Sequence, residues 1–393
     1  MRHSKRRGLL LASAATATVL ALSACSASTS ESTDSTDSGD FEPITDLSLQ
    51  LQWLPQAQFA GYYAAQELGY FEEEGFDSVE IIPSGGDIVP QDALIAGDVD
   101  FAVAWVPKVL GTIEATGVEL TNIAQIFERS GTLQVSWADD DITSVADFEG
   151  KRIGSWGFGN EWEIFAAMAD EGLDSQSVSI TTQDFSMNAL LDGDVDAAQA
   201  MTYNELAQVL ETIDPETGEL YTMDDLSIVS YEDTAGAMLQ DAIWADTERL
   251  ESDPAYADAA ERFLKAVVKG WVYARDNTEA AAELVWDVAS NAEAAFPVGP
   301  THQLWQTNET NKLIWPSSAG IGIVDSAAWD QTVAGALAAT NQDGLNLITA
   351  DPPASAYDNT YIEAALEALS ADGVDVEGAD FTPIEVTLTE GGQ

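Results

Sequence analysis

The sequence contains few of the side chains that carry out catalysis or hold metal ions. Its 393 residues include one cysteine, Cys25, and two histidines, His3 and His302. Zinc sites and Ser-His-Asp or Cys-His catalytic sets depend on such residues, and no phosphate-binding glycine loop is present either. We therefore predict no metal ion and no cofactor, and the composition disfavours an enzyme.

Basic residues are scarce as well. The chain has 14 lysines and arginines against 68 aspartates and glutamates, a formal net charge of −54. Residues 1–24 hold four of the basic residues and none of the acidic ones, which leaves ten against 68, or −58, in the remainder. Such a surface repels nucleic acid and anionic lipid headgroups, so we expect no nucleic-acid partner. It is typical of adaptation to a salty or acidic exterior, and it argues against nitrate or sulfonate as a ligand.

The first residues have the pattern of an export signal. A basic start precedes an apolar run from Leu9 to Leu20 and the small-residue site Leu22-Ser23-Ala24-Cys25. The run is short for a membrane span. A cysteine directly after such a site is typical of a bacterial lipobox, which predicts lipidation of Cys25 and anchoring on the extracellular face of the cell membrane. We predict a signal peptide over 1–24 and a disordered, lipid-anchored tether over 25–45; the alternative is a plain secreted protein.

The first stretch that points to a binding site follows the tether. Alternating leucines from Leu47 to Leu51 predict a strand, and the helical spacing of Phe59, Tyr62 and Tyr63 predicts a helix after a turn at Pro55. Open α/β sheets bind ligands at the carboxyl ends of their strands, where this stretch would lie. The alternative is that these aromatic residues belong to the core.

A repeated sequence motif predicts two similar α/β lobes. The helix-Gly-Asp-Val-Asp-strand pattern occurs over residues 94–105, which end in Trp105, and again over residues 190–201. The simplest role for the two aspartates in each copy is to cap the tight turn between the helix and the strand. We predict that residues 46–135 and 240–393 form lobe 1 with the C-terminal helices, and that residues 136–239 form lobe 2.

Two further stretches are expected at strand ends of the second lobe. One stretch begins at Trp156, the last residue of a predicted strand, and continues with Gly157-Phe158-Gly159-Asn160-Glu161. The other is Tyr203-Asn204-Glu205, which follows the second copy of the repeated sequence motif. Glycines allow the backbone to approach a ligand closely, and helix N-termini expose free N–H groups. Each Asn-Glu pair either contacts the ligand or caps its helix.

These motifs resemble a known family. The runs from Gln52 to Tyr63 and from Gly69 to Phe76 resemble the thiamine-pyrimidine branch of the solute-binding proteins of ABC importers, the SsuA-like / thiamine-pyrimidine-synthase-like family, and the resemblance covers residues 47–245. It implies a type II periplasmic-binding-protein fold, in which two α/β lobes joined by crossing strands close on one small molecule. It also implies a monomer whose partners are an ABC permease and its ATPase.

The sequence departs from the fungal synthases of the same branch. Their L-D-W-x-P-N-x-x-H start aligns with residues 51–59, where this chain has Gln52, Gln56 and Phe59 in place of the aspartate, asparagine and histidine, and it lacks their cysteine-rich motif. These departures exclude the synthase chemistry.

The resemblance implies a small aromatic heterocycle as the ligand. A thiamine-precursor pyrimidine is the leading candidate, riboflavin follows, and taurine, sulfonate or nitrate are alternatives in the same fold. A single-turnover synthase and a surface sensor are the alternatives of another class. The expected ligand-binding residues are Gln52, Trp53, Gln58, Tyr62, Tyr63, Trp105, Trp156, Phe158, Gly159, Asn160, Glu161, Tyr203, Asn204 and Glu205.

Overall fold

The computed structural model describes residues 41–85, 88–292 and 298–393. Within them, ten strands form two sheets of five. In chain order the strands are Asp46–Gln50 (β1), Ser78–Ile82 (β2), Phe101–Trp105 (β3), Leu120–Gln125 (β4), Thr132–Trp137 (β5), Arg152–Ser155 (β6), Ser179–Thr182 (β7), Ala197–Met201 (β8), Leu226–Ser230 (β9) and Asp241–Asp246 (β10).

Helices connect and cover these strands. The described part of the chain contains Ala60–Glu67 (α1), Tyr70–Glu73 (α2), Pro90–Ala96 (α3), Val106–Thr116 (α4), Trp162–Asp170 (α5), Asn188–Leu191 (α6), Glu205–Leu210 (α7), Thr247–Ser252 (α8), Pro254–Asp276 (α9), Thr278–Asn291 (α10), Pro300–Ile314 (α11), Ser326–Ala338 (α12) and Thr360–Ala371 (α13).

The two sheets have the same plan. The first has the order β2-β1-β3-β10-β4, and the second has the order β7-β6-β8-β5-β9. In each sheet three neighbouring strands are parallel, and one antiparallel strand arrives from the other sheet: β10 pairs with β3 and β4, and β5 pairs with β8 and β9. The chain therefore crosses between the sheets twice, over residues 126–131 and 231–240. This topology confirms the predicted type II fold of two α/β lobes.

The repeated sequence motif forms the same turn in both sheets. Gly97 and Gly193 end α3 and the turn after α6 in the left-handed region, with φ of 73° and 74°, which glycine adopts without strain. The last aspartate of each copy then binds the neighbouring strand. Asp100 Oδ2 accepts from the Ser48 N–H at 2.9 Å, and Asp196 Oδ2 accepts from the Arg152 N–H at 2.6 Å. The second aspartate of each copy thus fixes the start of β3 and β8.

Helix α1 is held against α9 by a close glycine contact. A Cβ at Gly270 would lie 1.9 Å from the Gly61 carbonyl oxygen, and one at Gly61 would lie 2.2 Å from the Trp271 ring. Only glycine fits at both positions. The Tyr62 ring packs edge-on against Trp271, with 5.7 Å between the ring centroids. This packing fixes the helix that follows the first predicted binding stretch.

The predicted signal peptide and Cys25 lie outside the described residues. The last residues of the predicted tether are already bonded to the fold: Arg262 donates to the Ile44 carbonyl oxygen at 3.0 Å, and the Asp77 N–H donates to that of Thr45 at 2.7 Å. In the part of the chain that the structure describes, no helix is long and apolar enough to cross a membrane.

Candidate ligand-binding cavity

A cavity of about 670 Å³ lies at the carboxyl ends of strands from both sheets, a volume typical of small-molecule sites. It is lined by the segment after β1, the end of β3 with the start of α4, the loop after β6 and the segment after β8. Most of the predicted residues lie here: Gln52, Trp53, Gln58, Trp105, Trp156, Phe158, Gly159, Asn160, Tyr203, Asn204 and Glu205.

Beside this cavity lies a buried carboxylate, Asp241, which is 1% exposed. Its Oδ1 accepts from Trp105 Nε1 at 2.8 Å and from the Gln52 amide, and its Oδ2 accepts from Gln58 Nε2 at 2.9 Å. Burial raises the pKa of the Asp241 carboxyl to about 6, although these donors and the Lys108 charge act in the opposite direction. Asp241 therefore orients three of the cavity-lining side chains.

The second sheet contributes a carboxylate of its own. Glu205, at the start of α7, is 3% exposed and accepts from the Met201 N–H and from Asn204 Nδ2, both at 2.9 Å. Burial raises the pKa of Glu205 to about 7. Behind it, Asn204 Oδ1 lies 3.0 Å from His302 Nε2, and His302 Nδ1 lies 3.0 Å from both oxygens of Glu211. The buried His302 therefore holds the amide that positions Glu205.

The loop after β6 has an unusual backbone. Gly157, Phe158 and Gly159 all have positive φ, at 70°, 55° and 85°. The Phe158 side chain is 87% exposed at the cavity rim. Asn160 Nδ2 donates to the Gly157 carbonyl oxygen at 2.8 Å, and Glu161 Oε2 accepts from the Gly159 N–H at 2.9 Å. Asn160 lines the cavity, whereas Glu161 holds the loop from behind.

Aromatic rings from both sheets meet across the cavity. The Phe185 ring lies 4.3 Å from Trp53 and 6.4 Å from Trp156, with an angle of 23° between the Phe185 and Trp156 planes. The sequence also predicted Tyr62 and Tyr63 as ligand-binding residues. Both tyrosines are buried in the core, 1% and 3% exposed, and neither lines the cavity. The first wall is therefore formed by Trp53 and Trp105.

Three residues that line the cavity carry a buried polar atom with no hydrogen-bond partner among the described residues. The atoms are Gln56 Oε1, on the segment after β1, Gln91 Oε1, on α3, and Trp156 Nε1, on the loop after β6. A buried polar atom left without a partner costs about 1–3 kcal/mol. The cavity lining thus has two unused acceptors in the first lobe and one unused donor in the second.

A third buried carboxylate links the second crossing segment to the first residue of β5, where the first crossing ends. Glu163, on α5, accepts from Thr132 Oγ1 at 2.5 Å, and from the Met238 N–H and Gln240 Nε2 at 3.1 Å each. Burial raises the pKa of Glu163 to about 7. Because α5 begins directly after the loop at 157–161, this carboxylate connects the cavity rim with the crossings. Within the described ranges, no group of histidine, cysteine, aspartate or glutamate side chains could hold a metal ion.

Sequence comparison identifies a matching protein family and two similar proteins. Residues 56–281 match the family model described as NMT1/THI5 like. A Haemophilus influenzae protein assigned to thiamine biosynthesis is 26% identical over 190 residues, 48% of this chain and 59% of that protein. The formylaminopyrimidine-binding protein of Halalkalibacterium halodurans is 24% identical over 261 residues, 66% of this chain and 74% of that protein.

Solved structures share the fold. The alkanesulfonate-binding protein SsuA of Xanthomonas axonopodis matches with a TM-score of 0.53 at 14% identity, over 75% of this chain and 92% of that one. An identity this low shows the fold alone. The family model, in contrast, covers more than half of the sequence, and the chain therefore belongs to the NMT1/THI5 like family.

Proposed function

We propose that the protein is the solute-binding subunit of an ABC importer that captures a small aromatic heterocycle of the thiamine-precursor pyrimidine type. The ligand would bind between the lobes, and the closed form would deliver it to a membrane permease driven by an ATPase. The protein performs no reaction on the ligand, acts as a monomer and is held at the outer face of the cell membrane by lipid on Cys25.

The observation that carries this proposal is the combination of ring walls with unused polar atoms in one cavity. Trp53 and Trp156 come from different lobes and both contact the Phe185 ring, and a flat ligand ring stacked on one of these aromatic faces gains about 1–3 kcal/mol. A pyrimidine with an exocyclic amine supplies the N–H donor that Gln56 Oε1 lacks and the ring nitrogen acceptor that Trp156 Nε1 lacks. Since these groups belong to different lobes, a ligand that contacts both lobes binds the closed form better than the open form.

The relatives support the same ligand class. The name of the Halalkalibacterium relative states that it binds formylaminopyrimidine, and the Haemophilus relative is assigned to the biosynthesis of thiamine, which contains a pyrimidine ring. The match covers 59% of the Haemophilus protein, so the likeness supports a ligand class rather than a shared activity.

A thermal-shift screen tests the proposal. The panel contains formylaminopyrimidine, riboflavin, taurine and nitrate, and a bound ligand stabilises the fold in proportion to the logarithm of its concentration over its dissociation constant. We expect stabilisation by the pyrimidine that disappears in Trp53→Ala and persists in Trp137→Ala, a matched change of a half-buried tryptophan outside the cavity. Stabilisation by taurine or nitrate alone would contradict the pyrimidine proposal, and a response to none of them would contradict the importer role.

A further inference from the structure

Lys108 lines the cavity on the first lobe and lies close to the second. It lies in the first turn of α4, directly after β3 ends at Trp105, and it is half-buried in the cavity lining. Its aliphatic chain reaches the opposite lobe: a Cβ at Gly159 would lie 3.4 Å from Lys108 Cγ. Lys108 therefore lies where the two walls of the cavity approach each other.

The ammonium group of Lys108 has no carboxylate within ion-pair distance among the described residues. Its one recorded contact is with the Trp105 ring, whose centroid is 5.1 Å from Nζ. Of the five lysines in the described ranges, Lys265, Lys269 and Lys312 pair with glutamates, and Lys151 donates to the Asp140 carbonyl oxygen. Lys108 thus differs from the others in a chain that carries 68 acidic residues.

The carboxylates of Asp241 and Glu161 stabilise the Lys108 charge from a distance, but neither lies within ion-pair distance of it. Both accept hydrogen bonds elsewhere, Glu161 Oε2 from the Gly159 N–H. Asp241 accepts from three side chains, and Glu205 accepts from a main-chain N–H and an amide. An ammonium group has three donors and no acceptor. A half-buried charge is stabilised when it is hydrogen-bonded, and within the described ranges no acceptor is hydrogen-bonded to Lys108 Nζ. An acceptor on the ligand fills that need.

We propose that Lys108 is a specificity-determining residue that selects heterocycles bearing an oxygen acceptor, such as a carbonyl or acyl substituent on the ring. With the ring between the aromatic walls, the oxygen points to α4 and accepts from Nζ. The inference rests on the proposed function, because it assumes that a heterocycle occupies this cavity. Burial lowers the pKa of Lys108 to about 8, so the group remains charged at neutral pH.

The test compares two ligands and three variants by isothermal titration calorimetry. The ligands are formylaminopyrimidine and its deformylated parent, which differ by the acyl oxygen. Lys108→Met keeps the aliphatic chain and removes the charge, Lys108→Arg keeps the charge, and Lys151→Met is the matched control away from the cavity. We expect Lys108→Met to weaken binding of the formylated ligand about tenfold or more and that of the parent much less, as for loss of a charged hydrogen bond. Lys108→Arg should keep the preference, and Lys151→Met should leave both affinities unchanged.

Other outcomes separate this inference from the proposed function. If Lys108→Met weakens binding of both ligands equally, Lys108 serves only as the counter-charge of Asp241. If Lys108→Met keeps the preference for the formylated ligand, another group binds the acyl oxygen. Either result overturns the inference. If the wild-type protein binds neither pyrimidine, the proposed function fails and methanesulfonate replaces them as an oxygen-bearing probe. Loss of its binding in Lys108→Met would still support the role of Lys108, whereas retained binding, or no binding by the wild type, would overturn it. Thermal unfolding of each variant shows that the fold is intact.

Discussion

Trp105 and Asp241 face each other across the antiparallel pair of β3 and β10, and the indole Nε1 donates to Asp241 Oδ1 at 2.8 Å. One of them ends a strand at the cavity, and the other begins the strand that returns from the second lobe. The same carboxylate also holds Gln52 and Gln58. The orientation of the first wall therefore depends on a residue at the crossing between the lobes.

Asp241→Asn should disorder this wall. An asparagine has the same size, but its amide has one oxygen and two N–H donors, so three donors are no longer all satisfied. We expect a loss of stability of about 1–3 kcal/mol and a loss of affinity of about tenfold or more. Calorimetric unfolding and ligand titration measure the two effects. The exposed Asp343→Asn is the control, and an Asp241→Asn protein that binds like wild type would show that the carboxylate does not position the wall.

Phe185 is predicted to be part of the ligand wall. Its ring centroid lies 4.3 Å from that of Trp53 and 6.4 Å from that of Trp156, and all three rings line the cavity of about 670 Å³, so the Phe185 ring borders the space. Phe185→Ala should weaken pyrimidine binding by about 1–3 kcal/mol, the range for stacking on an aromatic ring. Titration against Phe381→Ala, a half-buried phenylalanine outside the cavity, checks this. Tighter binding by Phe185→Ala would show that the ring occupies the ligand's place.

Gly159→Ala should affect binding more than stability alone explains. Its φ of 85° strains any side chain, and the new Cβ would also lie 3.4 Å from Lys108 Cγ. Gly218, with φ of 76°, provides a matched control because its Cβ would meet nothing within 4 Å. Both variants should lose about 1 kcal/mol of stability. Only Gly159→Ala should lose affinity, because its loop carries Phe158 and Asn160; equal affinities in the two variants would contradict the role of this loop.

Stability should fall between pH 5 and pH 8. Burial raises the pKa of Glu163 and Glu205 from 4.5 to about 7, so the folded state keeps protons that the unfolded chain has lost. The resulting stability is fully present below pH 4.5 and is lost as the pH rises through 7, by about 3 kcal/mol for one carboxyl.

Urea unfolding at both pH values measures this change. Glu163→Gln should reduce the fall by about 3 kcal/mol because one titrating group is removed, and the exposed Glu283→Gln should leave it unchanged. A wild-type protein that is more stable at pH 8 than at pH 5 would contradict the account of these carboxylates.

Cys25→Ser tests the membrane anchor. Without the thiol no lipid is attached, and the acidic chain has no electrostatic attraction to anionic headgroups, so we expect the variant in the soluble fraction. Detergent phase partitioning of cells that produce each form measures the distribution. Retention of the variant in the detergent phase would contradict the lipobox prediction.

The sequence predicted the elements that depend on local pattern. The two Gly-Asp-Val-Asp copies precede the middle strands β3 and β8, and the segments after β1, β6 and β8 do meet at one cavity. Strand alternation and glycine turns are local signals, and the carboxyl ends of parallel strands share one edge. For these reasons most of the predicted side chains were brought together.

Residues that act through distant partners escaped sequence analysis. Asp241 meets Trp105 across 136 positions, and His302 meets Asn204 across 98. A single acidic residue at the start of a strand, or a lone histidine in a helix, has no neighbouring pattern that marks it. Tyr62 and Tyr63 were predicted at the site but lie in the core. Helical spacing predicts that aromatic residues share one face of a helix, but it does not indicate whether this face contacts the core or the cavity.

Native mass spectrometry of the full-length protein with formylaminopyrimidine tests the central claim most directly. We expect one ligand per chain, with a dissociation constant of about 1 μM or tighter, and loss of the complex in Trp53→Ala. Absence of any pyrimidine adduct with the wild-type protein, or an adduct that survives unchanged in Trp53→Ala, would contradict it.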